Sequence, residues 1–308
     1  MTRQDQAAGA PREPGADAAL EAEIAESLRR VESGGIPLNA ERRLKELQTD
    51  SGSFTSDLSV SGFALCHQLG LQVLSQVMGS SIYQMGYQPS TGWMMGGSML
   101  TELSAISEAW NEVRRLALNR LEQEATHAGA DAVIGVQVRT GAHDFAQGAI
   151  EYVVVGTAVR RKDAKPNASP VLTELSVADY ANLKRAGIEP VGIVAWTSVF
   201  FSAYGNNWML EPSYMPGQNY ELREFTQGVY AAREQTMERL GLQAQQLGAT
   251  GIVGVRIGHT VRRQEVSSGP NAQQRGGVVI TFDAIGTAVR EHTGVQQQSP
   301  KTTVDLSI

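Results

Sequence analysis

Apolar residues recur along this chain with two spacings, and the two spacings alternate in a fixed order. From about Thr101 to Ala128 they stand three or four positions apart, the spacing of an amphipathic helix. A second such run spans about Tyr220 to Leu247, and each of its apolar positions follows its counterpart by 119 residues. The positions of the first stripe are Leu103, Ile106, Trp110, Val113, Ala117, Leu121, Ala125 and Ala128. We therefore predict two long helices that bury equivalent faces.

Shorter apolar runs on both sides of these helices predict strands. The segment LQVLSQVMGSSIYQM precedes the first long helix, and EPVGIVAWTSVFFSAYG precedes the second. DAVIGVQVRTG and GAIEYVVVGTAVRR follow the first long helix, and the short link between them favours a hairpin. Ser59 and Ser176 are typical N-caps of short helices, which Gly70 and Gly187 end.

The two halves are copies of one unit. HAGADAVIGVQV (from His127) recurs as QLGATGIVGVRI (from Gln246), and the GTAVR motif ending at Arg160 recurs ending at Arg290. Matched blocks in the same order indicate a tandem repeat of domain size. We predict an α+β fold of two tandem β-α-β-β units, each a long helix on a small antiparallel sheet, preceded by a short helical hairpin. The predicted boundaries are a disordered segment 1–17, the hairpin 18–50, repeat one 57–161, a linker 162–173, repeat two 174–290 and a disordered tail 291–308.

The predicted long helices are too long for the sheets beside them. A helix of about 28 residues measures about 40 Å, whereas strands of this kind are usually only about 20 Å long. Three strands also leave two open edges, which invite pairing with other protein. We therefore expect the rest of each helix to pack on the other repeat or on another chain. Gly135 and Gly254 are predicted to allow a bulge or a close backbone contact.

Composition narrows the class of protein. The chain has 308 residues, 42% of them hydrophobic, and a net charge of −6. Its scattered lysines and arginines do not form the basic patch of a nucleic-acid-binding protein. No apolar run has the roughly 20 residues of a membrane span, and the N-terminus lacks the pattern of a secretory signal. We expect a soluble cytoplasmic protein.

Soft-metal ligands are present but scattered. The single cysteine, Cys66, is next to His67, and their counterparts in repeat two are Leu183 and Lys184, so no ligand recurs. A buried apolar role for Cys66 is therefore favoured. Methionines before the first long helix are candidate copper(I) ligands or packing residues. The metal candidates are Cys66, Met94, Met95 and Met99, and the tryptophans of the two equivalent loops, Trp93 and Trp208, are interface candidates.

Arginines recur on both long helices. Arg114 and Arg120 have counterparts in Arg233 and Arg239, which predicts residues that bridge subunits or bind a ligand at an interface. Salt pairing within an assembly is the favoured interpretation. The carboxylates of the first helix lie mostly off the apolar stripe, and we expect them to be solvated: Glu102, Glu108, Glu112, Glu122 and Glu124. No arrangement of nucleophile and histidine is visible, so an enzyme is not predicted.

The GADAVIGV and GTAV segments, with their counterparts in repeat two, resemble the YbjQ-like family of bacterial proteins, which carries a heavy-metal-binding label. The resemblance implies a dodecin-subunit-like fold and assembly into pentameric rings, so that five chains would supply ten units. The resulting hypothesis is a non-enzymatic, ring-forming homo-oligomer that binds a ligand at subunit interfaces, with the N-terminal hairpin contacting a protein partner. The alternative is a soft-metal-binding or metal-sensing protein, whose cofactor would be a soft metal ion.

Overall fold

The structure, a computed structural model, describes residues 14–47, 54–85, 100–142, 149–162, 169–203, 219, 221–266 and 275–291. Within these ranges the α+β architecture of two β-α-β-β units behind a helical hairpin is confirmed. The helices are α1 (Pro14–Glu32), α2 (Leu38–Leu47), α3 (Val60–Gln68), α4 (Ser104–His127), α5 (Val177–Arg185) and α6 (Arg223–Gln246). The strands are β1 (Leu71–Gln84), β2 (Leu100–Glu102), β3 (Ala132–Ala142), β4 (Ala149–Arg161), β5 (Val171–Leu172), β6 (Ile188–Ala203), β7 (Gly251–Val266) and β8 (Arg275–Glu291).

Each repeat forms one sheet, and among the described residues each sheet holds four strands where the sequence predicted three. The strand orders are β1-β4-β3-β5 and β2-β6-β8-β7. β2, from repeat one, pairs antiparallel with Phe200–Ser202 of β6 in repeat two. β5, inside the predicted linker, pairs parallel with Ala132–Val133 of β3 in repeat one. The extra strands occupy sheet edges that would otherwise expose unpaired N–H and C=O groups.

The long helices bury the central parts of the predicted stripes against their own sheets, whereas Leu222 and Leu247, at the two ends of the second stripe, are exposed. In α4, Val113, Ala117, Leu121 and Ala125 are fully buried, and they pack in one cluster with residues of β1 and β4. Gly79 of β1 allows a close approach, because a Cβ there would lie 1.9 Å from the carbonyl oxygen of Ala117. The buried residues of α6 are Gly228, Ala232, Thr236, Leu240 and Ala244.

Local signals in the sequence act as predicted. The Ser59 hydroxyl accepts from the Gly62 N–H at 3.1 Å and so caps α3, and Ser176 caps α5 in the same way. Gly135 and Gly254 have φ values of +70° and +65° and lie where the pairing register shifts. Both predicted bulges are therefore confirmed, and the left-handed backbone explains why glycine stands there.

The arginine of the GTAVR motif ends the long helix of each repeat. Arg160 donates from Nε to the Gly129 carbonyl at 2.6 Å and from Nη2 to the Ala128 carbonyl at 3.2 Å. Arg290 makes the same pair of bonds to Gly248 and Leu247, both at 3.0 Å. A cation at a helix C-terminus satisfies free carbonyls and opposes the negative end of the helix dipole.

The N-terminal helices form the predicted hairpin, and the hairpin docks on repeat one. α1 begins at Pro14, so structure starts inside the segment predicted to be disordered. Leu44 of α2 and Ile36 of the turn are buried in the same cluster as α4. Residues 1–13 and 292–308, which hold most of the two predicted disordered ends, lie outside the described residues.

Candidate functional site at the repeat interface

The first half of α4 lies along the open edge of β6. The Leu103 N–H donates to the Val199 carbonyl at 2.7 Å, and the Val199 N–H donates to the Ser107 hydroxyl at 2.9 Å. Asn111 uses its amide twice on Thr197, donating to the carbonyl at 2.9 Å and accepting from the N–H at 3.0 Å. The predicted contact of α4 with the other repeat is confirmed, and polar side chains of the helix satisfy a strand edge. The predicted reason is wrong, because β1, with 14 residues, is longer than expected and is not shorter than the 24-residue helix.

Arg114 joins three elements at the centre of this interface. Its side chain is buried and donates from Nε to the Tyr152 hydroxyl of β4 at 3.1 Å. It also donates to the Asn111 amide oxygen at 2.6 Å and to the Thr197 hydroxyl of β6. Burial raises the pKa of Tyr152, which keeps the hydroxyl protonated. Salt pairing was the expected role, and these partners are hydroxyl and amide groups.

The remaining recurrent arginines have unequal environments. Arg120 is buried and donates to the carbonyls of Val31, Gly35 and Ser80, which ties the N-terminal hairpin to α4 and β1. Arg233 and Arg239, on α6, are exposed, and Arg239 lies 5.2 Å from the centroid of the Trp196 ring. The candidates Trp93, Trp208, Met94, Met95 and Met99 fall outside the described residues.

A cleft of about 1020 Å³ lies between the repeats, beside the Arg114 cluster. It combines charged groups of repeat one with aromatic and amide groups of repeat two. The sequence predicted a ligand at the interfaces between subunits, and that ligand stays a prediction. The residues that give the cleft this character are Glu108, Glu112, Arg115 and Asn119 of α4, Trp196 of β6 and Gln243 of α6.

Glu124 corrects one expectation, because it is buried and not solvated. Its Oε2 accepts from the Met78 N–H at 2.9 Å and pairs with Arg43 of α2 at 3.0 Å. Burial raises the pKa of Glu124 more than these two partners lower it. Its counterpart Gln243 makes both bonds of an amide pair with the backbone of Ala195, at 2.9 and 3.1 Å.

Cys66 has the buried apolar role that its sequence context favoured. It packs with Leu71, Ile134 and Val159, and burial raises the pKa of its thiol, which disfavours the metal-binding thiolate. Among the residues that the structure describes, no group of three or more His, Cys, Asp or Glu side chains converges on a metal position.

The threonine of the GTAVR motif is a structural residue that sequence reasoning missed. The Thr157 hydroxyl lies 3.1 Å from the Ser56 hydroxyl and donates to Asp57, which fastens β4 to the segment before α3. Thr287 lies 3.1 Å from the Thr173 hydroxyl and accepts from the Glu174 N–H at 3.2 Å. The sequence did carry a signal for these contacts, because Ser56-Asp57 recurs as Thr173-Glu174, 117 positions later.

The profile of the family described as "Putative heavy-metal-binding" (YbjQ) matches the chain twice, over residues 61–162 and 190–292. The chain is a tandem member of the YbjQ family. An encapsulin nanocompartment protein of Mycobacterium tuberculosis is 35% identical over 232 residues, covering 74% of this chain and 85% of the relative. A UPF0145 protein of Clostridium novyi is 39% identical over 94 residues, which is 29% of this chain and 85% of the relative. One of Thermus thermophilus is 38% identical over 98 residues, 30% of this chain and 81% of the relative.

No solved structure matches this YbjQ-family chain. In the part of the chain that the structure describes, every helix is too short or too polar to cross a membrane.

Proposed function

We propose that this YbjQ-family chain is a non-enzymatic protein whose work is done by a ring-shaped homo-oligomer of five chains, with a ligand held at the interfaces between repeats. The observation that carries the proposal is the exchange of strands between the repeats. β2 leaves repeat one to complete the sheet of repeat two, and β5 leads into repeat two after pairing with the sheet of repeat one. A single repeat therefore depends on a neighbour.

The relatives support this dependence. The UPF0145 proteins of Clostridium novyi and Thermus thermophilus match about one repeat of this chain over more than four-fifths of their own length. A protein with one repeat has only a second copy of itself to supply an exchanged strand. The relative that spans most of this chain is named as a protein of an encapsulin nanocompartment, which fits a role in an assembly.

Particle mass tests the proposal directly. We expect native mass spectrometry and light scattering at micromolar concentration to give about five times the 33.1 kDa of one chain. Comparison of native and denatured masses would show a ligand that stays bound. A monodisperse species of 33.1 kDa would contradict the proposal.

The same samples test the soft-metal alternative, which rests on the family description and on the methionines Met94, Met95 and Met99. Elemental analysis that finds a stoichiometric metal, together with saturable copper(I) binding that Cys66→Ser weakens, would favour that function. Metal-free protein with unchanged assembly supports the structural role.

A further inference from the structure

Equivalent positions of the two repeats differ sharply in exposure, and the differences lie on two faces. Leu103, before α4, is 6% exposed because it lies on β6, whereas its counterpart Leu222, before α6, is 50% exposed. Val199, which receives Leu103, is 1% exposed, and its counterpart Ile82 on β1 is 55% exposed. Each half of the contact inside the chain thus has an uncovered counterpart elsewhere on the molecule.

The segment around each short helix shows the same asymmetry. Val177 of α5 is 3% exposed because it packs on the Cys66 cluster of repeat one, and its counterpart Val60 of α3 is 89% exposed. The positions of repeat two that would receive Val60 are also apolar. The counterparts of Cys66 and Ile134 are Leu183 and Val253, which are partly exposed, and the counterpart of Val159 is the buried Val289 beneath them in the sheet.

We propose that repeat two of one chain docks on repeat one of a second copy, through the contact that joins the two repeats within the chain. The region around Leu222 and the first half of α6 would lie along the β1 edge of the next copy. The segment that carries Val60 would meet β7 and α5 of the previous copy. This inference rests on the proposed function, because it names the surfaces that build the oligomer.

Polar chemistry at the two faces is retained as well as apolar chemistry. Thr226 stands where Ser107 does, so its hydroxyl can accept from the Ile82 N–H as Ser107 accepts from Val199. Arg233 replaces Arg114, and Ser80 offers the hydroxyl that Thr197 offers.

Two residues of the contact inside the chain have counterparts of a different chemical type in the proposed contact between chains. We therefore predict that the contact between chains is weaker than the contact within one chain. Tyr230 replaces Asn111, so the amide pair on the strand edge is lost, and Phe282 replaces Tyr152, so the arginine loses a hydroxyl partner. Dissociation into intact chains should therefore precede separation of the repeats.

The N-terminal hairpin leaves the Ile82 end of the β1 edge uncovered, while the Ser80 carbonyl on that edge already accepts from Arg120. It contacts repeat one through Arg43 and through Arg120 of α4, while Ile82 and Met78 of β1 stay about half exposed. The proposed contact joins two different surfaces, so it is heterologous and closes into a ring if the rotation allows. A ring built from this contact alternates repeat one and repeat two, so five chains would form one ring of ten repeats.

Engineered cysteines test the contact. β2 pairs on β6 in a register that continues to place Leu103 opposite Val199, and the Leu103 N–H donates to the Val199 carbonyl at 2.7 Å. Directly opposed residues of antiparallel strands have Cα atoms about 5 Å apart, which suits a disulfide. We expect Ile82→Cys/Leu222→Cys to give a ladder of covalent multimers under mild oxidation. Each single variant should give no covalent dimer, and an equal mixture of the two should give dimers only. Wild type, with its buried Cys66, is the background control.

Leu222→Asp gives a second readout without oxidation, and Leu242→Asp is the matched control, because Leu242 is similarly exposed on α6 but outside the proposed face. Leu222→Asp should raise the concentration at which the oligomer dissociates at least tenfold, while Leu242→Asp leaves it unchanged. A covalent dimer from either single-cysteine variant, or an oligomeric wild type without the ladder, would overturn this interface but leave the proposed function standing. A monomeric wild type would overturn both.

Discussion

Arg114 and Arg233 occupy equivalent positions of a duplicated unit, yet one is buried among hydroxyl and amide groups and the other is exposed. Glu124 and Gln243 differ in residue type but both contact the open edge of the strand beside their helix. At the scale of a residue, the recurrence of a side chain in both repeats therefore shows which positions of the repeated unit are equivalent. The partner depends on what the neighbouring repeat or the hairpin brings to that position.

Relative to wild type, Glu124→Gln should increase the free energy of unfolding, and the increase should be larger at higher pH. The pKa of Glu124 is raised by burial, so the folded state holds its proton more tightly and wild-type stability falls as pH increases through that pKa. Glutamine does not titrate and can copy the amide pair of Gln243, at the cost of a half-exposed ion pair with Arg43 worth at most about 1 kcal/mol.

Urea unfolding at pH 4.5 and pH 7.5 measures this change, with the exposed Glu238→Gln as control. The free energy of unfolding of Glu124→Gln, relative to wild type, should be higher at pH 7.5 than at pH 4.5. A difference that is constant with pH, or one that is larger at pH 4.5, would contradict the assigned role of burial.

At the scale of the elements, the first half of a long helix decides how the repeats join. α4 has 24 residues, and its first turns serve the sheet of repeat two rather than its own. A strand edge normally pairs with another strand, but here Ser107 and Asn111 take over where β2 ends. The helix and the short strand act as one exchanged element.

Ser107→Ala should destabilise the chain by about 1–3 kcal/mol, because it leaves the buried N–H of Val199 without its acceptor. Ser104→Ala, an exposed position one turn earlier, is the control and should change the free energy of unfolding by less than about 0.5 kcal/mol. Chemical denaturation measures both. Equal stability of the two variants would mean that water replaces the hydroxyl at this edge.

At the scale of the whole molecule, the two repeats are joined by a contact that both of them, and the linker, help to build. β5 and the residues after it belong to both repeats, since the Thr173 N–H donates to Val133 of β3 while the Thr173 hydroxyl meets Thr287 of β8. The end of the linker is therefore part of the interface between the repeats. We expect the contacts across this interface to contribute more to the association of the repeats than the covalent connection does.

Cutting the chain at a protease site inserted between Lys162 and Ser169 should leave the two halves associated. We expect both pieces in one peak on size exclusion at micromolar concentration, because the exchanged strands and the Arg114 cluster hold them together. The same cut in an Asn111→Ala/Arg114→Ala background should let them separate more readily. Halves of the unsubstituted protein that elute apart would show that the linker, rather than the interface, holds the repeats together.

Sequence patterns were enough to predict the central buried stripes, the serine caps and the two glycine bulges, because each depends on residues within a few positions of one another. The repeat was predicted by comparing blocks of sequence that lie about 119 positions apart. The prediction that α4 contacts a neighbour was correct, but it rested on an expected strand length that the 14-residue β1 exceeds. The identity of that neighbour, the fourth strand of each sheet and the burial of Glu124 and Arg114 were decided by tertiary structure. The physical reason is that a duplicated sequence encodes both faces of a contact twice, and only the folded chain shows which copy of each face is already covered.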